Sequence, residues 1–140
     1  MTDRKATNVW SGELFTGSGT VTLDSSGLGS YDVSWPARAE EPDGKTSPEE
    51  LIAAAHSSCF NMAFSNMLAK NDTPPERLET SAVVTFVPGT GITRSALTVV
   101  GTVPGVDEAK FAELAQDAKA NCPVSQALSG VEITLDAKLG

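Results

Sequence analysis

The chain has 140 residues, a length that suits one domain with a buried core. Its hydrophobic content of 40% and charged content of 20% exclude a disordered or fibrous protein. The net charge is -8 and the 10 Lys and Arg are scattered, so the basic patch that a nucleic acid or an anionic membrane requires is missing. The first residues, MTDRKATNVW, lack the apolar run of a secretory signal, and we expect a cytoplasmic protein with reduced thiols.

The sequence pattern of residues 1–35 predicts β structure. The runs NVWSGELF, GSGTVTLD and GSYDVSW are short and are separated by glycine and serine, which is typical of strands joined by turns. The next segment, PARAEEPDGK, is rich in proline and charge, and we expect it to be an exposed loop.

A long helix is predicted from Pro48 to Lys70. Ser47 is a suitable N-cap, Pro48 fits the first helical position, and Glu50 completes a Ser-x-x-Glu capping box. The helix would be about 34 Å long at ~1.5 Å per residue. No side chain between Glu50 and Lys70 carries a formal charge, but polar residues such as Asn61 interrupt the apolar run. We therefore expect a helix buried by its own protein and not a membrane span.

The second half of the chain predicts two strands, a helix, a helical turn and a last strand. LETSAVVTFV and GITRSALTVVGTV flank the turn PGTG, and VDEAKFAELAQDAKAN has helical spacing with Asp107 as its N-cap. CPVSQALSG is typical of a short helical turn, and VEITLDAKL alternates like a half-buried strand. This order predicts a single α+β domain over residues 1–140, in which helices cover a mainly antiparallel sheet.

The long helix carries His56, the only histidine, and Cys59, one of the two cysteines. At ~100° per residue, Cys59 lies on the more apolar face of the helix. A cysteine on such a face is commonly inert, and a histidine there is commonly a core residue with both nitrogens hydrogen-bonded. The i, i+3 spacing still allows the imidazole and the sulfur to touch. The residues predicted to share this face with Cys59 are Ile52, Ala55, His56, Met62, Ala63 and Asn66.

The second cysteine, Cys122, comes directly before Pro123, which suits the first position of a helix PVSQAL. Cys122 would then be the N-cap, close to unpaired backbone N–H groups that favour a thiolate. Two cysteines far apart in a cytoplasmic chain are compatible with inert core residues, a redox pair or part of a metal site.

The segments SPEELIAAAHSSCF and NCPVSQAL resemble the OsmC/Ohr family of thiol peroxidases. Both motifs are present in the family's order, and the predicted strand and helix order is similar over nearly the whole chain. His56 in AAAHSSCF resembles the OsmC-type branch. The resemblance implies an OsmC-like α+β fold, an intertwined homodimer, and the reduction of organic hydroperoxides and, more weakly, of hydrogen peroxide. It implies no metal and no cofactor, and a dithiol reductant of the lipoyl type.

Carried over residue by residue, the resemblance implies that Cys59 is the peroxidatic cysteine and Cys122 the resolving cysteine. Cys59 would become a sulfenic acid and then form a disulfide with Cys122, which an external dithiol would reduce. Glu49 corresponds to the family's active-site glutamate, which would orient an arginine through a bidentate pair. The early segment ELFTGSGTVTL has no arginine, so Arg38 is the candidate to stabilise the thiolate and the peroxide.

The spacing on the long helix adds an expectation about assembly. Glu49 and Cys59 would lie about 15 Å apart along the axis at ~1.5 Å per residue. One Glu49–Arg38 pair could hardly bridge that distance within one chain, so we expect a second subunit to bring both residues to Cys59. His56, Ile52, Phe60, Met62 and Phe111 are the candidates for the lining of the peroxide pocket.

Two alternatives stay open from the sequence. His56, Cys59 and Cys122 with a carboxylate could hold zinc, although the chain has no Cys-x-x-Cys pair. The same apolar pocket could also bind a lipid-like ligand without catalysis, with inert thiols. Oxidation of both thiols by a hydroperoxide would separate the peroxidase from these alternatives.

Overall fold

The computed structural model describes residues 1–140 as two compact units, Met1–Leu51 and Ile52–Gly140. The boundary between the units falls inside the long helix. The predicted α+β class with mainly antiparallel strands is confirmed. In chain order, the elements are β1 Thr7–Ser11, β2 Ser18–Thr22, β3 Ser30–Val33, α1 Trp35–Ala39, α2 Pro48–Lys70, β4 Arg77–Val87, β5 Gly91–Thr102, α3 Glu108–Asn121, α4 Pro123–Ala127 and β6 Glu132–Leu139.

The first unit contains an antiparallel sheet in the order β1-β2-β3. The segment expected to be a loop begins with the short helix α1, so that expectation is wrong for its first residues. The helix forms because the Ser34 hydroxyl accepts a hydrogen bond from the Ala37 N–H and because Pro36 suits the first turn. The capping signal was therefore present in the sequence SWPAR.

The helix α2 has the predicted bounds. The Ser47 hydroxyl accepts a hydrogen bond from the Glu50 N–H at 3.2 Å, as expected of the N-cap. The Glu50 carboxylate accepts a hydrogen bond from the Thr46 hydroxyl, so the second half of the predicted capping box takes a different form. After Lys70, the chain turns at Asp72, whose φ of 59° lies in the left-handed region.

The second unit contains a sheet in the order β4-β5-β6. β4 and β5 form the predicted antiparallel hairpin, whereas β6 pairs with β5 in parallel. α3 and α4 make the connection that a parallel neighbour requires. The helices α2 and α3 and the strand β5 bury a common core, made of Phe60, Phe64, Leu68, Leu97, Val99, Val103, Phe111, Ala115 and Ala118.

The buried face of α2 differs from the prediction. His56, Phe60, Phe64 and Leu68, spaced four residues apart, have no exposed surface. Three residues assigned to the face of Cys59 are exposed instead: Ala55, Asn66 and Met62, the last at 72%. Cys59 itself is half-buried. The reason is the size of the side chains, because three large apolar residues at i, i+4 and i+8 bury more surface than the alanines and the flexible methionine.

We expect Phe64→Ala to destabilise the protein by about 3–5 kcal/mol. Phe64 is fully buried and its ring centroid lies 5.5 Å from that of Phe60 and 5.0 Å from that of Phe111, so truncation leaves a cavity. Urea denaturation measures the change. Leu28→Ala is the control, since Leu28 is 77% exposed and its loss should cost within about 0.5 kcal/mol. Equal stabilities of the two variants would contradict this core.

Candidate active site

The two cysteines meet in the second unit as free thiols. Cys59 lies on α2, and the fully buried Cys122 lies between α3 and α4. Burial raises the pKa of the Cys59 thiol, and the hydrogen bond with the Cys122 side chain raises it further. A hydrogen bond with the Val124 backbone N–H acts in the opposite direction but is the weaker influence. Within its own unit, Cys59 is therefore held as a thiol, which is a poor nucleophile.

Cys122 is the N-cap of α4, as predicted, with φ -61° and ψ 123°. Its side chain makes no capping hydrogen bond. The N–H of Val124, in the first turn of this helix, is bonded to Cys59 instead. A backbone N–H of α4 therefore donates to the sulfur of Cys59 and not to that of Cys122. The sequence motif did not indicate this.

His56 is a buried residue with both ring nitrogens hydrogen-bonded. Nδ1 lies 2.7 Å from the Ser95 hydroxyl, and Nε2 lies 2.8 Å from the Ser125 hydroxyl. Burial lowers the pKa of the imidazole, which keeps His56 neutral at neutral pH. The interpretation of His56 as a core histidine with satisfied nitrogens is confirmed, and its ring faces two serines where a pocket wall was expected.

The sequence analysis did not identify Ser95 and Ser125. For Ser95 a signal existed, because it occupies the same inward-facing series of β5 as the buried Leu97 and Val99. A polar residue in such a series needs a buried partner. For Ser125 the signal was its place in the motif NCPVSQAL, although nothing local indicates a partner 69 residues earlier in the chain.

In the first unit, Arg38 and Glu49 form the expected ion pair. The Arg38 Nη2 and Nε atoms lie 2.8 Å and 2.9 Å from the Glu49 Oε1 atom. Both nitrogens contact this one oxygen, so the pair is not the two-oxygen fork that was expected. Glu49 Oε2 is buried and has no hydrogen-bond partner. An unpaired buried carboxylate oxygen is unfavourable.

A cavity of about 240 Å³ lies beside Arg38. Its walls are mostly apolar and aromatic, with the guanidinium as their one cationic group. None of the residues predicted to line the peroxide pocket borders this cavity. The cavity is lined by Asn8, Trp10, Leu14, Val33, Ser34, Trp35, Arg38 and Pro48.

The residues predicted to line the peroxide pocket belong to α2 and α3 in the second unit. Phe60 and Phe111 have no exposed surface and belong to the core, because α3 covers α2 at this point. Met62 borders a shallow depression with Pro75 and neighbouring residues of β4. Ile52 is half-buried on α2.

The structure also bears on metal and membrane binding. No group of three or more His, Cys, Asp or Glu side chains is arranged to hold a metal ion. His56, which the zinc alternative requires, already has a serine hydroxyl on each nitrogen. None of the helices combines the length and apolar character that crossing a membrane requires.

Fold and site together define an α+β protein with a pair of adjacent free thiols. The chain belongs to the OsmC family, since the family model described as OsmC-like protein matches residues 41–136. It is 43% identical over 133 residues to Peroxiredoxin OsmC of Escherichia coli (strain K12), which covers 93% of this chain and 92% of that protein. An Organic hydroperoxide resistance protein-like protein of Staphylococcus aureus (strain MRSA252) is 33% identical over 91% of this chain and 88% of its own. The higher identity to the first agrees with the OsmC-type prediction.

The fold is shared with a solved structure of low sequence identity. The crystal structure of an OsmC like protein from Mycoplasma pneumoniae superposes with a TM-score of 0.73 at 16% identity. The match covers 99% of this chain and 97% of that one. At this identity the likeness concerns the fold alone.

Proposed function

We propose that this protein is a cysteine-based peroxidase that reduces organic hydroperoxides and, more weakly, hydrogen peroxide. The hydrogen-bonded pair of free thiols, Cys59 and Cys122, is the observation that carries the proposal. The names of the relatives, a peroxiredoxin and an organic hydroperoxide resistance protein-like protein, support this substrate class.

In the proposed reaction, the Cys59 thiolate attacks the terminal oxygen of ROOH and the O–O bond breaks. The alkoxide takes a proton and leaves as an alcohol, and Cys59 becomes a sulfenic acid. Cys122 then attacks the Cys59 sulfur, the S–O bond breaks, and water leaves with the proton of the Cys122 thiol. A dithiol of the lipoyl type reopens the disulfide by two exchange steps and becomes a disulfide itself.

The proposal needs a cation at Cys59, because its surroundings within the second unit raise the pKa of the thiol. We assign this role to Arg38, oriented by Glu49, from the second subunit of a homodimer. In α2, Glu49 and Cys59 are about 15 Å apart along the axis at ~1.5 Å per residue, which favours donation between chains over donation within one chain. Light scattering on the purified protein tests the dimer.

The cavity beside Arg38 suits the alkyl group of an organic hydroperoxide. Trp10, Leu14 and Trp35 provide apolar walls, and Arg38 provides donors for the peroxide oxygens. The same cavity also favours a second candidate function, namely non-catalytic binding of a lipid-like ligand with inert thiols.

We expect one equivalent of cumene hydroperoxide to remove both thiols of each chain and to yield one Cys59–Cys122 disulfide. Thiol titration and peptide mass spectrometry measure the result. Cumyl alcohol is the matched control, because it has the same apolar group and no oxidising O–O bond. Unchanged thiols after hydroperoxide, together with binding of cumyl alcohol, would reject the peroxidase and favour the binding function.

A further inference from the structure

A buried hydrogen-bond bridge joins three elements of the second unit. His56 on α2 contacts Ser95 on β5 and Ser125 on α4, at 2.7 Å and 2.8 Å. The exposed fractions are 0% for His56, 0% for Ser95 and 6% for Ser125. Because water hardly reaches these groups, each hydrogen bond that is removed leaves an unpaired polar atom in the interior.

Each end of the His56–Ser125 hydrogen bond lies about one helical turn from a cysteine. His56 comes one turn before Cys59 on α2, and Ser125, on α4, comes one turn after Cys122, the N-cap of that helix. The His56–Ser125 hydrogen bond therefore links the same two segments as the contact between the two sulfurs.

The segment that carries Cys122 depends on this link. α4 runs only from Pro123 to Ala127, which is too short to be stable by itself. Ser125 is its only buried residue, and its N-cap makes no side-chain hydrogen bond. The buried hydroxyl of Ser125, held by the imidazole, is consequently the side-chain anchor of α4.

We propose that His56, acting through Ser125, is a positioning residue that holds Cys122 against Cys59 for disulfide formation. The role rests on the proposed peroxidase function. Once Cys59 is a sulfenic acid, it has two fates: attack by Cys122, which releases water, or oxidation by a second hydroperoxide to the sulfinic acid, which releases an alcohol. Attack by Cys122 wins when the sulfur is held at the correct distance, because a held nucleophile has a high effective concentration. The His56–Ser125 hydrogen bond therefore determines how readily a second hydroperoxide over-oxidises Cys59 to the sulfinic acid.

Ser125→Ala tests the proposal. We expect disulfide formation to slow about ten-fold or more. Formation of the sulfenic acid should slow much less, because a looser α4 weakens two opposing influences on the pKa of Cys59: the Cys122 side chain, which raises it, and the Val124 backbone N–H, which lowers it. Stopped-flow fluorescence and dimedone trapping separate the two steps. Sulfinic acid should accumulate at a correspondingly lower hydroperoxide concentration, as mass spectrometry measures. Ser125→Thr keeps the hydroxyl and is expected to restore the wild-type rate.

Ser95→Ala is the matched control. It also leaves one nitrogen of the buried His56 unpaired, so its cost in stability should be similar, but the link to α4 remains. Disulfide formation at the wild-type rate in Ser125→Ala would overturn the proposal. Equal slowing in both variants would also overturn it, because the effect would then come from general loosening of the core.

A readout without peroxide separates this inference from the proposed function. In a glutathione redox buffer, Ser125→Ala should shift the Cys59–Cys122 equilibrium about ten-fold toward the dithiol. If the wild-type chain ignores hydroperoxides, the peroxidase proposal fails, while this shift would still support the positioning role. An unshifted equilibrium would reject the positioning role whatever the activity.

Discussion

Cys59→Ser is expected to lower hydroperoxide consumption by at least about a thousand-fold, because the serine hydroxyl neither ionises near neutral pH nor takes up an oxygen atom. Cys122→Ser should lose turnover with the dithiol reductant but keep the first step. One equivalent of hydroperoxide is then consumed per chain, and the Cys59 sulfenic acid persists. A ferrous-oxidation assay for hydroperoxide and trapping with dimedone measure the two variants.

The comparison of these variants assigns the roles of the two thiols. If Cys59→Ser stayed active and Cys122→Ser lost its first equivalent, the peroxidatic role would belong to Cys122. Complete burial of Cys122 makes that outcome unexpected, because a hydroperoxide would have to enter the core to reach its sulfur. Circular dichroism before each assay shows that both variants are folded.

Arg38→Met is expected to raise the pKa of Cys59 in the proposed homodimer. A thiolate reacts above its pKa, so loss of the cation should move the midpoint of the pH–rate curve to higher pH. An opposite charge at short range is worth about 1–3 pKa units, which corresponds to a loss of roughly 10-fold to 1,000-fold in rate at a pH below both midpoints. The pH dependence of alkylation of Cys59 by iodoacetamide gives the pKa directly.

Two further variants sharpen the Arg38 test. Glu49→Gln keeps the size of the side chain and weakens the ion pair, so it should shift the midpoint in the same direction by a smaller amount. Arg77→Met removes an arginine that is also paired with a glutamate, but its side chain is 65% exposed and does not line the cavity beside Arg38. A Cys59 pKa that stays at the wild-type value in Arg38→Met would assign the thiolate to another cation.

The ends of the helices could be predicted from the sequence because the signals are local. Ser47 and Pro48 mark the start of α2, and Asp107 accepts a hydrogen bond from the Lys110 N–H at the start of α3. The buried face of α2 could not be predicted in the same way. The residues between Glu50 and Lys70 are uncharged on every side of the helix, so no charged face opposes the apolar one, and only packing against α3 and β5 selects the face of Phe64.

In the site, too, only features with a local sequence signal could be predicted. The motifs indicated both cysteines, but the partners of His56 come from two other elements, and no local pattern joins them. The sequence also did not predict that β6 runs parallel to β5. Side chains alternate with a period of two in parallel and antiparallel strands alike. The wall of the cavity beside Arg38 comes mostly from β1, β3 and α1, with Pro48 from the start of α2.

The parallel pairing of β6 with β5 determines when the two sulfurs can meet as the protein is made. Cys59 leaves the ribosome before Cys122, and parallel neighbours cannot be joined by a tight turn. The α3–α4 connection, which carries Cys122, is therefore closed into a complete crossover only when β6 pairs with β5. A nascent chain carries Cys59 without its partner until Cys122 has followed it, and the strand that closes the crossover comes later than both.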